Sequence, residues 1–127
     1  MLLERLVSKM KIAWFCIPAH GHTNPTLGLV KEMIDAGHEV TYFSFEKFRE
    51  KIEGTGATFV PCDAYDLDID AKEGGNRVGK DLAFSIELIV ESTLAMDGLM
   101  GRVIPDMKPD LIVADSMAFS GKLAAMK

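Results

Sequence analysis

The sequence predicts an α/β domain in which helices flank a parallel sheet, and three observations carry that expectation. Short runs rich in β-branched and aromatic residues recur at 11–17 (KIAWFCI), 39–44 (EVTYFS), 57–61 (ATFVP) and 110–114 (DLIVA). Segments with helical spacing of apolar residues separate them. The first run is apolar almost throughout rather than alternating, which suits a strand buried on both faces, as in parallel sheets. Strand, helix, strand, helix, strand is the order of βαβ units.

Each element has local support. Residues 25–36 place Leu27, Val30 and Ile34 on one helical face, with Leu29 and Met33 widening it. Asn24 is the expected N-cap, Pro25 suits the first helical position, and Gly37 can take the left-handed conformation that ends a helix. Residues 45–53 read as a short amphipathic helix closed by Gly54 or Gly56. Residues 62–80 are acidic and hold Gly74, Gly75 and Gly79 with no sustained period, which predicts a long loop. Residues 81–104 then carry Leu82, Ile86, Ile89, Met96, Met100 and Val103 on one face, predicting a long helix that ends before Pro105 and is weakened by Gly98 and Gly101. After the strand at 110–114, residues 116–127 start another helix.

Composition narrows the function classes. With 127 residues, one domain is expected, and a chain of this size buries roughly two-thirds of its unfolded surface. A net charge of −5 offers no long-range attraction for phosphate backbones or anionic lipids, so neither nucleic acid nor membrane is an expected partner. The apolar run at 12–19 is far too short to span a bilayer. Cys16 and Cys62 each fall beside a strand, without metal-type spacing, and read as reduced core thiols. A cytoplasmic location is the corresponding expectation. Residues 1–9 lack a small-residue cleavage site and read as an extension or cloning remnant ahead of a native start at Met10.

The segment PAHGHTNP at 18–25 joins the first strand to the first helix. Ligands of open parallel sheets bind beyond the carboxyl ends of the strands, where this turn lies. The positive end of the helix dipole disfavours imidazolium, so His22 would stay neutral and available as a general base. Asp115 stands at the carboxyl end of the strand at 110–114. If that strand lies beside the first, Asp115 can hold one imidazole nitrogen and aim the other at a substrate. Plainer readings stand beside these: His22 as a surface residue or local cap, and Asp115 as the N-cap of the next helix. A metal-dependent hydrolase using His20, His22 and Asp115 is a further alternative, although no H-E-x-x-H framework accompanies it. Asp66, Asp68 and Asp70 mimic the start of a calcium loop, but Ala71 and Arg77 occupy its sixth and twelfth positions, so a solvated acidic loop is expected. The G-x-G-x-x-G fingerprint of dinucleotide binding is absent.

Residues 11–43, KIAWFCIPAHGHTNPTLGLVKEMIDAGHEVTYF, together with KPDLIVAD at 108–115, closely resemble the amino terminus of family 1 glycosyltransferases, especially the bacterial macrolide type. The resemblance implies the GT-B architecture, two Rossmann-like domains facing a cleft. The acceptor is then held mainly by the first domain and the nucleotide sugar mainly by the second. By position in the motif, His22 is the general base and Asp115 its partner, and the Gly21 backbone lies near the donor phosphates. The loop at 62–80 and the helix after it would help shape the acceptor pocket.

The expected activity is single-displacement, inverting transfer from a UDP-sugar co-substrate to a hydroxyl of a small hydrophobic acceptor, with no metal and no other cofactor. Residues 10–127 are expected to form a partial, acceptor-side Rossmann-like domain lacking the donor-binding domain, and so to be inactive alone. The alternative is a non-catalytic small-molecule-binding module, or one that depends on self-association or on a separate donor-binding chain.

Overall fold

The computed structural model describes residues 9–17, 20–63, 80–115 and 118–127. Four strands, β1 (Lys11–Phe15), β2 (Glu39–Ser44), β3 (Thr58–Pro61) and β4 (Leu111–Ala114), form one parallel sheet in the order β3-β2-β1-β4. The helices are α1 (His20–Asp35), α2 (Arg49–Glu53) entered through a 3-10 turn (Glu46–Phe48), α3 (Leu82–Ala95), α4 (Asp97–Met107) and α5 (Phe119–Ala125). This is the expected α/β arrangement with helices on both faces of the sheet.

The two-residue period of a strand divides the core in two. Ile12, Trp14 and Cys16 share one face with Val40 and Tyr42, and there they meet Val30 of α1 with Phe48 and Ile52. Ala13, Phe15 and Phe43 share the other face with Met100 and Ile104 of α4 and Ala124 of α5. Register partners stack on each side: Trp14 on Tyr42 at 6.2 Å between ring centroids, and Phe15 on Phe43 at 4.5 Å. Burying each such ring contributes about 1.5–3 kcal/mol, and stacking adds about 0.5–1.5 kcal/mol. The β1–β2 pair is therefore the most firmly held part of the sheet. Cys16 and Cys62 are buried, free and assigned to opposite faces, in agreement with core thiols.

Gly37 ends α1 as expected, with φ of 98°. The His38 N–H donates to the Met33 carbonyl at 3.1 Å and the Gly37 N–H to the Ile34 carbonyl at 2.9 Å, the paired bonds of a Schellman motif. The start of α1 differs from expectation: the helix begins at His20, with Pro25 inside it, and Asn24 is not its N-cap. Asn24 instead accepts from Lys51 Nζ at 3.4 Å. Tertiary contacts hold the added turn, since Thr23 is fully buried and His22 is tied to Asp115. Leu29 is exposed and lies outside the packed stripe, whereas Leu27, Met33 and Ile34 lie within it.

The long helix expected at 81–104 is two helices, and the second runs past Pro105 to Met107. Asp81 caps α3 by accepting from Phe84 N–H. The break falls at Met96, just after Thr93 turns its hydroxyl back onto the Ile89 carbonyl at 2.8 Å, a bond that bends helices. Pro105 deletes a single hydrogen bond near the end of α4. Buried Met100 and Ile104 hold that end against the sheet, and Lys108 closes it with φ of 48°. The predicted face is correspondingly revised: Leu82 is 75% exposed and Ile86 52% exposed, while Leu88 and Ile104 are buried. Residues 1–8 of the proposed extension, Asp66, Asp68, Asp70 and the glycines of the acidic loop lie outside the described residues. Among those described, no helix is long and apolar enough to cross a membrane.

Candidate active site

The strand order sets the place of the site. β1 is followed by α1 and then β2 on one side, whereas β4 lies on its other side, so the direction of winding reverses between β1 and β4. Crevices at such reversals, beyond the carboxyl ends of the strands, are where open α/β sheets bind ligands. His22 comes from the first turn of α1, which follows β1, and Asp115 comes directly after β4.

Backbone pairing holds Asp115 there, because its N–H donates to the Phe15 carbonyl at 2.9 Å. The N-cap of α5 is Ala118, which leaves the Asp115 carboxylate off the cap position. That carboxylate turns to α1, where Asp115 Oδ2 lies 2.5 Å from His22 Nδ1. With an acceptor carboxylate, the proton of a neutral imidazole sits on Nδ1, and Nε2 keeps its lone pair. The His22 side chain is 39% exposed and that of Asp115 14%, so the ring is reachable while its orienting partner is mostly covered. A pair built this way can take a proton at Nε2 and stabilise the resulting imidazolium.

Beneath this pair lie polar groups that the sequence does not mark as part of a site, among them the core thiol Cys16. Cys16 Sγ is 4.0 Å from Asp115 Oδ2. Burial chiefly, with a contribution from the Asp115 charge, pushes the thiol up, so it remains a protonated donor; nearby Tyr42 and Thr23 hydroxyls oppose that shift in part. Burial likewise raises the Tyr42 phenol, which keeps its proton. The Tyr42 hydroxyl and Thr26 Oγ1 are 2.8 Å apart, and Thr26 Oγ1 donates to the Thr23 carbonyl at 2.7 Å. The two-residue period of β1 and β2 was the available signal, since it places Cys16 and Tyr42 on the face that α1 covers.

Gly21 is exposed in the first turn of α1, with open space where a side chain would stand. His20 opens the same helix. Among the described residues, no group of three or more His, Cys, Asp and Glu side chains is arranged to hold a metal ion.

Comparison with known proteins gives a consistent picture. No protein-family model matches the chain. It is 36% identical over 121 residues to the NDP-glycosyltransferase YjiC of Bacillus subtilis, covering 95% of this chain and 30% of that protein. It is 32% identical over 123 residues to the demethyllactenocin mycarosyltransferase of Streptomyces fradiae, covering 91% of this chain and 27% of that one. Among solved structures, the glycotransferase of kitacinnamycin superposes with a TM-score of 0.75 at 22% identity, over 94% of this chain and 28% of that chain, a likeness of fold. The homologues are thus glycosyltransferases, as the sequence motifs implied, and the fold is that of their amino-terminal Rossmann-like domain. The chain spans about 30% of the length of the curated relatives it matches first.

Proposed function

We propose that this chain is the acceptor-side part of an inverting glycosyltransferase, with His22 as general base and Asp115 as the residue that orients it. The observation that carries the reading is the 2.5 Å contact between His22 Nδ1 and Asp115 Oδ2 at the reversal of the sheet. An alcohol is a poor nucleophile at neutral pH. His22 Nε2 takes the acceptor hydroxyl proton while that oxygen attacks the anomeric carbon. The bond from that carbon to the diphosphate breaks on the opposite face, and the configuration inverts. General-base assistance of this kind typically contributes about 10²- to 10⁴-fold. The donor is a nucleotide sugar, UDP-linked by the family resemblance, and the exposed backbone at Gly21 is free to approach its phosphates. The acceptor is a small hydrophobic molecule bearing a hydroxyl. On this reading most donor contacts lie in the portion of the relatives that the chain does not span, so the 127 residues alone transfer no sugar.

The test is a chimera joining this chain to the carboxy-terminal portion of the Bacillus subtilis relative. His22→Ala should lower kcat by about 10²-fold or more while nucleotide-sugar binding persists. Unchanged turnover would eliminate the base.

A second reading, a non-catalytic module that needs a partner chain or self-association, is favoured by one specific feature. Leu82, Ile86, Val90 and Leu94 form an exposed apolar row along α3. Absence of turnover in the parent chimera, with assembly beyond the monomer for the 127-residue chain, would select it.

A further inference from the structure

We propose that Tyr42 is a positioning residue for the His22–Asp115 pair, acting through its hydroxyl contact with Thr26 on the helix that carries His22. The inference rests on the reading of His22 as base only for its catalytic consequence. Its structural content stands separately.

The turn that carries His22 is weakly tied to the rest of α1. Pro25 has no N–H, so the Gly21 carbonyl loses its bond one turn on. Thr26 offsets the loss by donating its hydroxyl proton to the Thr23 carbonyl at 2.7 Å. That proton is then committed, so in the 2.8 Å contact with Tyr42 the phenol donates and Thr26 Oγ1 accepts. Tyr42 belongs to a central strand, is fully buried, and is clamped by its stack on Trp14. The result is a continuous link from sheet to phenol to Thr26 to the carbonyl of the residue after His22. One hydroxyl on the sheet thereby holds the turn of α1 that carries the imidazole.

A phenylalanine at this position would keep the ring, its burial and its stack. What the oxygen adds is a fixed distance between α1 and the sheet. That distance decides whether Nδ1 meets the carboxylate.

The experiment uses the 127-residue chain labelled with ¹⁵N-histidine. The Nδ1–H proton of His22, assigned by its disappearance in Asp115→Asn, is expected far downfield because it is shared with a carboxylate. Tyr42→Phe should abolish or broaden that resonance while the amide spectrum stays dispersed. Thr26→Val should do the same, and Thr26→Ser, which keeps the hydroxyl, should restore it. An unaltered resonance in Tyr42→Phe overturns the proposal. If Tyr42→Phe does not fold, the Thr26 pair decides, and equal signals in Val and Ser overturn it. In the active chimera, Tyr42→Phe should lower kcat about two- to tenfold with KM unchanged, the equivalent of one lost hydrogen bond. A resonance lost in Tyr42→Phe, together with unchanged turnover in His22→Ala, would sink the base and leave the positioning role standing.

Discussion

Gly121 is the position at which substitution tests the packing behind the site most directly. It lies buried in α5, and a Cβ built there would overlap the Cβ of Ala114 and stand 3.4 Å from the Phe15 Cβ. Ala114 is the last residue of β4, and its methyl is fixed to the strand backbone, so no flexible side chain can yield. Two effects of Gly121→Ala compete. Replacing glycine inside a helix contributes about 1 kcal/mol in favour of the variant. Forcing a methyl into a close-packed interface costs about 1–3 kcal/mol, and the severity of this overlap places the cost at the upper end. The net expectation is a destabilisation of about 2 kcal/mol. Dividing by an unfolding entropy of about 2.1 cal/mol/K per residue gives a fall in Tm of about 7 °C. Gly28→Ala is the internal control, because Gly28 is exposed in α1 with nothing near its would-be Cβ. That variant should gain about 0.5–1 kcal/mol, raising Tm by about 2–4 °C. Calorimetry or thermal circular dichroism reads both. A Gly121→Ala protein as stable as the parent would refute the claim that α5 is seated by contact with β4.

Two further stability predictions follow from buried polar groups. Burial pushes the Cys62 thiol up to about 12 from an ordinary 9.0. The unfolded chain thus loses that proton first, and stability should decline as pH rises above 9.0 toward the folded value, by at most about 1.4 kcal/mol per pH unit. Cys62→Ala should flatten the alkaline limb of a urea-midpoint profile, and an unchanged slope would refute the assignment. The Ser44 hydroxyl is buried and has no hydrogen-bond partner among the described residues. Ser44→Ala should be neutral or stabilising by up to about 1 kcal/mol, whereas a loss of more than about 1 kcal/mol in denaturant unfolding would show that the hydroxyl is satisfied after all.

The sequence was most legible where a local rule and the tertiary environment agree. β2 was read at its full bounds, Glu39–Ser44, because alternating β-branched and aromatic residues suit a strand with buried neighbours on both sides. Gly37 was legible because a left-handed residue after a helix admits few side chains. Reading failed where tertiary contacts outweigh a local preference. The Asn-Pro pair signals a helix start, yet a fully buried Thr23 and the His22–Asp115 bond carry α1 back to His20. Pro105 signals a stop, but burial of Ile104 outlasts a single missing hydrogen bond. In α3 the face through Leu82 and Ile86 is helical as its spacing predicts yet exposed, because periodicity reports a face and not what covers it.

By itself, the sequence determined the strands, their alternation with helices, and the two residue types that follow the first and last of those strands, because these depend on side-chain periodicity and backbone preference within a few residues. It also marked the motif through which the chain resembles glycosyltransferases. Only the tertiary structure decided that β4 docks beside β1 and not at the β3 edge, and hence that two side chains 93 residues apart share a hydrogen bond. It also decided that one buried phenol stands beneath them. Those outcomes depend on which faces of the sheet α4 and α5 must cover, a matter of filling space around the whole sheet that no local stretch of the chain encodes.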